Sequence, residues 1–494
     1  MENFIQKKND GLLSCFIPFG DEQSVQKTVK SLRESPLVKN IFLLYFDEKP
    51  NLTDCKTLKI NSIQSTESAR TIAREADAEY CLIYTKHTPL ELGQFALERF
   101  VRTANDTDAG LVYSDFYQMQ NGERKAITTI DYQFGSVRDD FNFGSLLFFN
   151  SEKIKNAVEV MNAPYQFAGL YDLRLSISQQ SAIFHLNEFL YTEIEIDDRK
   201  SGEKQFDYVN PKNRDVQIEM EKACTEHLKR IGVWLPPDFK PVSFDASFDI
   251  EASVIIPVRN RVKTIEDAIK SVLMQKTDFK FNLIIIDNYS ADGTSEIIAQ
   301  YAKNDARIIH LIPNRADLGI GGCWNEGVQS AYCGKFAVQL DSDDVYSSPE
   351  TLQSIVNCFY KEQCAMVIGS YTMTNFAMET IPPGLIDHRE WTSENGHNNA
   401  LRINGLGAPR AFYTPILREI KLPNTSYGED YALGLRFCRE YRIGRIYNSI
   451  YLCRRWDENS DASLDIAKQN SYNAYKDKLR TMEMTARLQL NGLK

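Results

Sequence analysis

The 494-residue chain runs through one strand–turn–helix passage twice. In the second half, SVIIPVRNRVKTIEDAIKSVLMQ reads as a buried strand, a turn and an amphipathic helix, and FNLIIIDNYSADGTSEIIAQYAK repeats the pattern. RIIHLIPN and KFAVQL add two more strands. The first half carries the same series. LLSCFIPFGDEQSVQKTVKSL sets Ser14 against Ser253 at an offset of 239, NIFLLYFDE sets Ile41 against Leu283 at 242, and EYCLIYTKHTPL sets Tyr80 against Phe336 at 256. Near the end of each half, LYDLRLSISQQSAIFHLNEFLY aligns without gaps on DYALGLRFCREYRIGRIYNSIY at an offset of 260. Strands alternating with helices at these lengths imply βαβ units and a largely parallel sheet in each half. The drift in offset is what loop insertions produce, so the chain reads as a tandem duplication.

PPDFKPVSFDASFDIEAS (236–253) is rich in Pro, Ser and Asp and lacks helical periodicity, so it reads as a linker. The expected organisation is a first domain at 1–238, a linker at 239–252 and a second domain at 253–494. Each half is expected to close on a helix, 214–231 and 462–488. In the last helix, Tyr472, Tyr475, Leu479 and Met482 form an apolar stripe that should pack on its own domain.

Composition narrows the function classes. With 43% apolar and 25% charged residues the chain is of ordinary globular type. A net charge of -10 argues against nucleic acid held by bulk electrostatics. No apolar run reaches the roughly 18–20 residues needed to span a bilayer, and MENFIQKKNDGLLSCF has no stretch suited to a secretory leader. The ten cysteines contain no C-x-x-C pair and the six histidines show no ligand spacing. The expectation is a cytoplasmic protein with buried thiols, without transmembrane segment, whose association with membranes is at most peripheral.

KFAVQLDSDDVYSSPETL ends an apolar run on Asp341, Asp343 and Asp344. Three carboxylates so close repel one another unless a cation sits among them. The aligned stretch of the first half is Thr85-Lys86-His87-Thr88, with no acid and a new cation. A strand end in an α/β sheet faces the ligand-binding crevice, and crowded hard oxygen ligands suit Mg²⁺ or Mn²⁺ shared with phosphates. The competing reading is a solvated acidic turn capping a helix at Ser347 or Ser348. The strand-end position and the loss from the repeat favour the ligand site, in the second half only.

Taken as a set, SVIIPVRN, IIIDNYSADGT, the NEGVQSA helix, QLDSDD and YGEDYALGLR resemble family 2 of the inverting, nucleotide-sugar-dependent glycosyltransferases over 253–456. The first half resembles the same fold with its metal motif lost. The resemblance implies two tandem GT-A domains of the α/β class (nucleotide-diphospho-sugar transferase, Rossmann-like), each followed by a C-terminal helix. It implies that Asp343 and Asp344 hold the metal, with Asp341 as the first acid on the donor side. Pro257 and Arg259 match the stretch that cups base and ribose. Asn288 stands where many relatives carry a base-reading Asp; because Asn both donates and accepts, the base stays open. Trp324 stands where relatives often have Arg, and stacking and core packing are equally open to it.

The same resemblance makes Asp430 the general base, with Glu429 beside it as an acceptor contact. The plain alternative is an acidic helix start, favourable against the helix dipole. In CRRWDENSDASL (453–464), Arg454 and Arg455 match residues that close over the diphosphate, and Trp456 falls where relatives carry a metal-binding His. The alternative is a surface basic pair beside Asp457 and Glu458. IPPGLIDHREWTSENGHNNALRINGLGAPRAFYT (381–414) lies on the acceptor side, with His388, Arg389, Trp391 and Arg410 as candidates; otherwise it is a long polar loop. The aromatic-rich 111–149 belongs to a first domain that no longer catalyses and serves as a platform or in acceptor binding.

The expected function is a metal-dependent glycosyltransferase of hexosyl type, with Mn²⁺ or Mg²⁺. It moves a sugar from a nucleoside-diphosphate sugar to a hydroxyl of a glycan or glycoconjugate with inversion, in polysaccharide biosynthesis. A non-catalytic nucleotide-sugar or glycan-binding scaffold is the second reading. A nucleotidyltransferase would need a Gly-rich basic signature near the first strand, which SVIIPVRNRVKTIED lacks.

Overall fold

The computed structural model describes residues 11–52, 54–194, 213–456 and 464–493. These fall into two compact units. One comprises 11–194, 215–232 and 465–477; the other comprises 213–214, 233–456, 464 and 478–493.

The first unit is built on one nine-stranded sheet. Its strands are β1 (Leu13–Pro18), β2 (Val38–Tyr45), β3 (Lys56–Lys59), β4 (Tyr80–Tyr84), β5 (Glu91–Leu92), β6 (Leu111–Gln120), β7 (Glu123–Ile127), β8 (Leu146–Asn150) and β9 (Ile183–Ile194). They lie in the order β3-β2-β1-β4-β8-β6-β9-β5, with β7 paired to β6. Successive residues of β1 feed opposite faces: Leu13, Cys15 and Ile17 join one buried cluster and Phe16 the other, the period of two that a strand dictates.

The second unit repeats this plan. Its strands are β10 (Ala252–Val258), β11 (Phe281–Asp287), β12 (Ile308–Leu311), β13 (Phe336–Gln339), β14 (Val345–Tyr346), β15 (Met366–Thr374), β16 (Thr380–Ile386), β17 (Arg410–Tyr413) and β18 (Ile443–Arg454). The order is β12-β11-β10-β13-β17-β15-β18-β14, with β16 on β15, strand for strand that of the first unit. The registers agree with the sequence offsets. Leu13 pairs with Tyr80 as Ala252 pairs with Phe336, and Leu111 pairs with Ile183 as Met366 pairs with Ile443. The four strands from β12 to β13 are parallel, and all seven residues of β11 are buried, as a sheet covered on both faces requires. The helix Ile265–Leu273 buries Ile265, Ala268, Ile269 and Val272, the i, i+3, i+4, i+7 stripe of an amphipathic helix.

Three passages depart from expectation. The 236–251 stretch has no helix or strand, yet it is strapped onto the second unit. The Lys240 backbone N–H donates to the Glu440 carbonyl at 2.8 Å, and Phe244 packs edge-on against Phe336, Tyr360 and Tyr413 at 5.1–5.3 Å. Residues 381–414 are not one loop: they contain most of β16, the short helix Gly396–Asn399 and β17.

The closing helix, Ile466–Leu490, buries a charged face, while Tyr472, Tyr475 and Leu479 of its expected apolar stripe are only half-buried. Met482 is 61% exposed, whereas Asp477, Arg480, Glu483 and Arg487 are buried. In the second unit Arg480 donates to the carbonyls of Leu401 and Ile403, while Arg487 donates to Asn398 and to the His397 carbonyl. Long guanidinium side chains reach carbonyls that no apolar side chain could satisfy, and buried carbonyls need donors.

Candidate functional site

The parallel strands of the second unit deliver their ends to one crevice. Pro257 lies one residue before the end of β10, Asn288 follows β11 and Asp341 follows β13; this is where open α/β sheets bind ligands. The turn after β13 is held from several sides. Gln339 donates from Nε2 to the Asp341 Oδ1 at 2.9 Å, and the Asp341 backbone N–H donates to the Tyr451 hydroxyl at 3.1 Å. The Arg454 backbone N–H donates to the Asp344 Oδ1 at 2.7 Å. Trp456 Nε1 points at the Asp343 Oδ2 across 3.4 Å. Burial, then the carboxylates of Asp343 and Asp341, push the Asp344 carboxyl well above the usual range. Burial also raises Asp341, against the pull of Arg410 and Gln339. The turn stores charge repulsion that a cation would relieve.

Eighty-odd residues later the chain returns a second acidic pair to the same place. The helix Glu429–Glu440 starts on Gly428, whose φ of 75° reverses the chain so that Glu429 and Asp430 form its first turn. Asp430 Oδ2 pairs with Arg410 Nη1 at 3.0 Å and keeps its side chain 34% exposed. Arg410 feels Asp430, Asp341 and Glu429 together, so one guanidinium serves three acids from distant parts of the sequence. Glu429 is buried, with Oε2 unpartnered among the described residues. Burial and then Asp430 push its carboxyl up to about 8. Adjacent acids are thus split: one is neutral at pH 7, the other is paired with a cation and open to solvent. The approach is close because of Gly321, where an added Cβ would stand 2.0 Å from the Pro423 carbonyl oxygen and 3.0 Å from the Glu429 Cβ.

Residues 253–414 match Glycosyl transferase family 2. That segment is the part of the chain similar to the family. A putative teichuronic acid biosynthesis glycosyltransferase TuaG of Bacillus subtilis is 33% identical over 24% of this chain and 46% of its own length. The GalNAc(5)-diNAcBac-PP-undecaprenol beta-1,3-glucosyltransferase of Campylobacter jejuni is 38% identical over 19% of this chain and 29% of its own. The chain thus spans less than half the length of these curated relatives. Among solved structures, S. aureus TarS 1-349 in complex with UDP-GlcNAc is similar at a TM-score of 0.37 and 20% identity, over 48% of this chain and 72% of that one.

The second unit brings together Asp341, Asp343, Asp344, Glu429, Asp430 and Arg410, with Pro257 half-buried and Arg259 exposed at the end of β10. Asn288 is buried; its Nδ2 donates to the Leu318 carbonyl at 2.9 Å, and its Oδ1 has no partner among the described residues. Other residues stand elsewhere than expected. Arg454 is fully buried, and its guanidinium pairs with Asp267 at 2.7 Å instead of standing free over the crevice. Arg455 is partly exposed beside it, its backbone N–H on the Thr374 carbonyl, while Asp457 and Glu458 lie outside the described residues. His388 is buried and pairs with Glu390 at 3.1 Å. Trp391 is buried under Arg445, and Arg389 is exposed and paired with Asp387. These three build the wall of the loop, and none bonds the acid cluster. Trp324 is 6% exposed and edge-on to Phe412, which makes it core.

Two members of the site escaped the sequence reading. Gln339 lies inside an apolar strand, where nothing marks a polar residue as functional. Tyr451 carried a usable signal, since it aligns with Tyr191 at the 260 offset, and each hydroxyl accepts a backbone N–H, Tyr451 from Asp341 after β13 and Tyr191 from Ser145 before β8.

Among the described residues no three His, Cys, Asp or Glu side chains come together as a metal-binding group. The donor set still fits a hard divalent cation that completes its shell from water and phosphate oxygens, since three carboxylates crowd one turn and burial and mutual repulsion raise Asp341 and Asp344. In the first unit that need is already met. Lys86 pairs with buried Glu193 at 2.6 Å, and Glu193 also accepts from Gln118 and Ser145. The turn there is two residues longer: Leu92 pairs with Tyr191 as Tyr346 pairs with Tyr451. Leu90, not Thr88, therefore stands in the place of Asp344. Lys86→Ala is accordingly expected to leave nucleoside-diphosphate affinity within about two-fold of the parent by calorimetry.

The raised Glu429 carboxyl has its own signature. Between its ordinary value of 4.5 and about 8, the folded state holds a proton that the unfolded chain releases, so stability falls as pH rises through that window. Glu429→Gln removes this loss. Its unfolding temperature at pH 8 should exceed the parent's by roughly 5 °C, with little difference at pH 5.

Proposed function

We propose that the second unit transfers a sugar from a nucleoside-diphosphate sugar to a hydroxyl of a glycan or glycoconjugate, with inversion, assisted by Mn²⁺ or Mg²⁺. The observation that carries this reading is the meeting of Asp341 and Asp430 around Arg410: strand-end acids and a solvent-reached carboxylate share one crevice. Asp343 and Asp344 would hold the cation, which when bound supplies charge to stabilise the departing diphosphate. Asp430 takes the proton of the acceptor hydroxyl as its oxygen attacks the anomeric carbon from the face opposite the leaving group. Glu429, protonated at neutral pH, adds no second negative charge to that approach. Pro257, Arg259 and Asn288 stand where base and ribose would lie. Asn288 keeps an unpartnered Oδ1 among the described residues and a second N–H on Nδ2, so it can read either a donor or an acceptor edge of the base.

The first unit, where Lys86 pairs with Glu193 in place of the strand-end acids, is assigned a non-catalytic role as platform or acceptor-binding domain. The names of the relatives, for teichuronic acid and an undecaprenol-linked glycan, support a polysaccharide or glycoconjugate acceptor. Among the described residues no helix is long and apolar enough to cross a membrane.

The test is an assay of nucleoside-diphosphate sugars with glycan acceptors and Mn²⁺, the product's anomeric configuration being read by NMR. An inverted linkage supports the proposal. Retention of configuration removes Asp430 as base, and tight nucleotide-sugar binding without turnover favours the scaffold reading.

A further inference from the structure

Arg410 is tied to both sides of the crevice. Its side chain is 15% exposed. Nη1 reaches the Asp430 Oδ2 at 3.0 Å and donates to the Gly407 carbonyl at 2.8 Å. Its backbone N–H donates to the Gln339 Oε1 at 3.1 Å, and the other end of that amide holds Asp341 at 2.9 Å. Gln339 is buried, and its carbonyl accepts from the Tyr346 hydroxyl. Strand pairing fixes this frame, because β17 lies antiparallel beside β13 with Val338 opposite Ala411.

A carboxylate that must work as a base has two requirements: it must be ionised at the working pH and aimed at the acceptor. Arg410 supplies both, as a cation within hydrogen-bond reach that is itself anchored at two points. Asp430 is paired with Arg410 at 3.0 Å, and its charge is felt by Glu429 and Asp341; Arg410 in turn feels Asp430, Asp341, Glu429 and Tyr451. Asp341 is a second acid facing the same guanidinium, so without Arg410 the base would lose its cation beside another carboxylate.

We infer that Arg410 is a positioning residue for the base, holding Asp430 ionised and aimed, and that Gln339 couples this aim to Asp341 on the donor side. The inference rests on the proposed transferase reading. The corresponding first-unit position, by the β4–β8 and β13–β17 registers, is Leu147, an apolar residue in the unit that has lost its acids.

The experiment compares the parent with Arg410→Gln, Arg410→Lys and Gln339→Met in the full chain, recording pH profiles of kcat and kcat/KM with a saturating acceptor. Arg410→Gln should lower kcat about 10²-fold, leave donor KM within about three-fold, and move the acid limb of the profile about one unit or more toward neutral pH. Arg410→Lys should restore the limb and part of the rate, since it keeps the charge but loses the fork. Gln339→Met should lower kcat several-fold with the limb unmoved. If Arg410→Gln folds and its limb stays in place, the inference fails. If that variant does not fold, a parent-like kcat in both Arg410→Lys and Gln339→Met overturns it equally. A parent that transfers no sugar from any donor overturns the transferase reading, and this inference with it.

Discussion

Asp430→Asn is expected to lower sugar transfer by about 10²–10⁴-fold, the range a positioned general base contributes. The amide has the shape of the carboxylate but cannot take the acceptor's proton. Glu429 does not replace it, because burial, the larger cause of its raised carboxyl, persists in the variant and keeps its Oε2 away from the acceptor. Donor binding should survive within about two-fold, because Asn keeps the shape of Asp430 and the strand-end acids keep their own bonds to Gln339, Tyr451 and Arg454. The loss therefore falls on kcat, and a nucleotide-binding titration run beside the rate assay separates the two. A variant with near-parent kcat would show that another group removes the proton.

Asp344→Asn should act in opposite directions on the free and the liganded protein. In the free protein the Asp344 carboxyl is raised by burial first and by Asp343 and Asp341 next, so its charge destabilises the fold at neutral pH. The neutral amide keeps an Oδ1 to accept the Arg454 N–H, now at 2.7 Å. The unfolding temperature without ligand should therefore rise by about 2–4 °C for each kcal/mol of relieved strain. The further rise that Mn²⁺ and a nucleoside diphosphate give the parent should vanish, and turnover should fall at least 10²-fold. The sign in the free protein follows the linkage. The raised carboxyl binds its proton more tightly when folded, so stability of the parent declines as pH rises from acid through neutral, and the variant loses that slope. Differential scanning fluorimetry at pH 5 and 8, with and without ligand, reads all of this in one experiment.

Much of the architecture was legible because the duplication supplied its own control. The offsets of 239, 242, 256 and 260 reappear as equivalent strand registers, since buried apolar runs leave little freedom of register. The acids of 341–344 were legible for the same reason: the twin lacked them. What could not be read depends on partners that are distant in sequence. Arg454 looks like any exposed basic residue until Asp267, 187 positions earlier, is seen to pair with it. His388 and Trp391 look like acceptor contacts until the loop is found to bury them. The closing helix misled most plainly. Periodicity assigns the buried face to apolar residues, but its neighbours present carbonyls, and Arg480 and Arg487 satisfy them. Phe244 was hidden by composition, one aromatic in a Pro-, Ser- and Asp-rich stretch that in fact fills an aromatic cluster.

The most direct test of the central claim is a calorimetric titration of the chain with nucleoside diphosphates, run with Mn²⁺ and again with EDTA. The account predicts one site per chain, tight with Mn²⁺ and weakened by at least 10-fold in EDTA, and lost with Mn²⁺ present in Asp343→Asn combined with Asp344→Asn. Binding that is indifferent to both the metal and these two acids would contradict it.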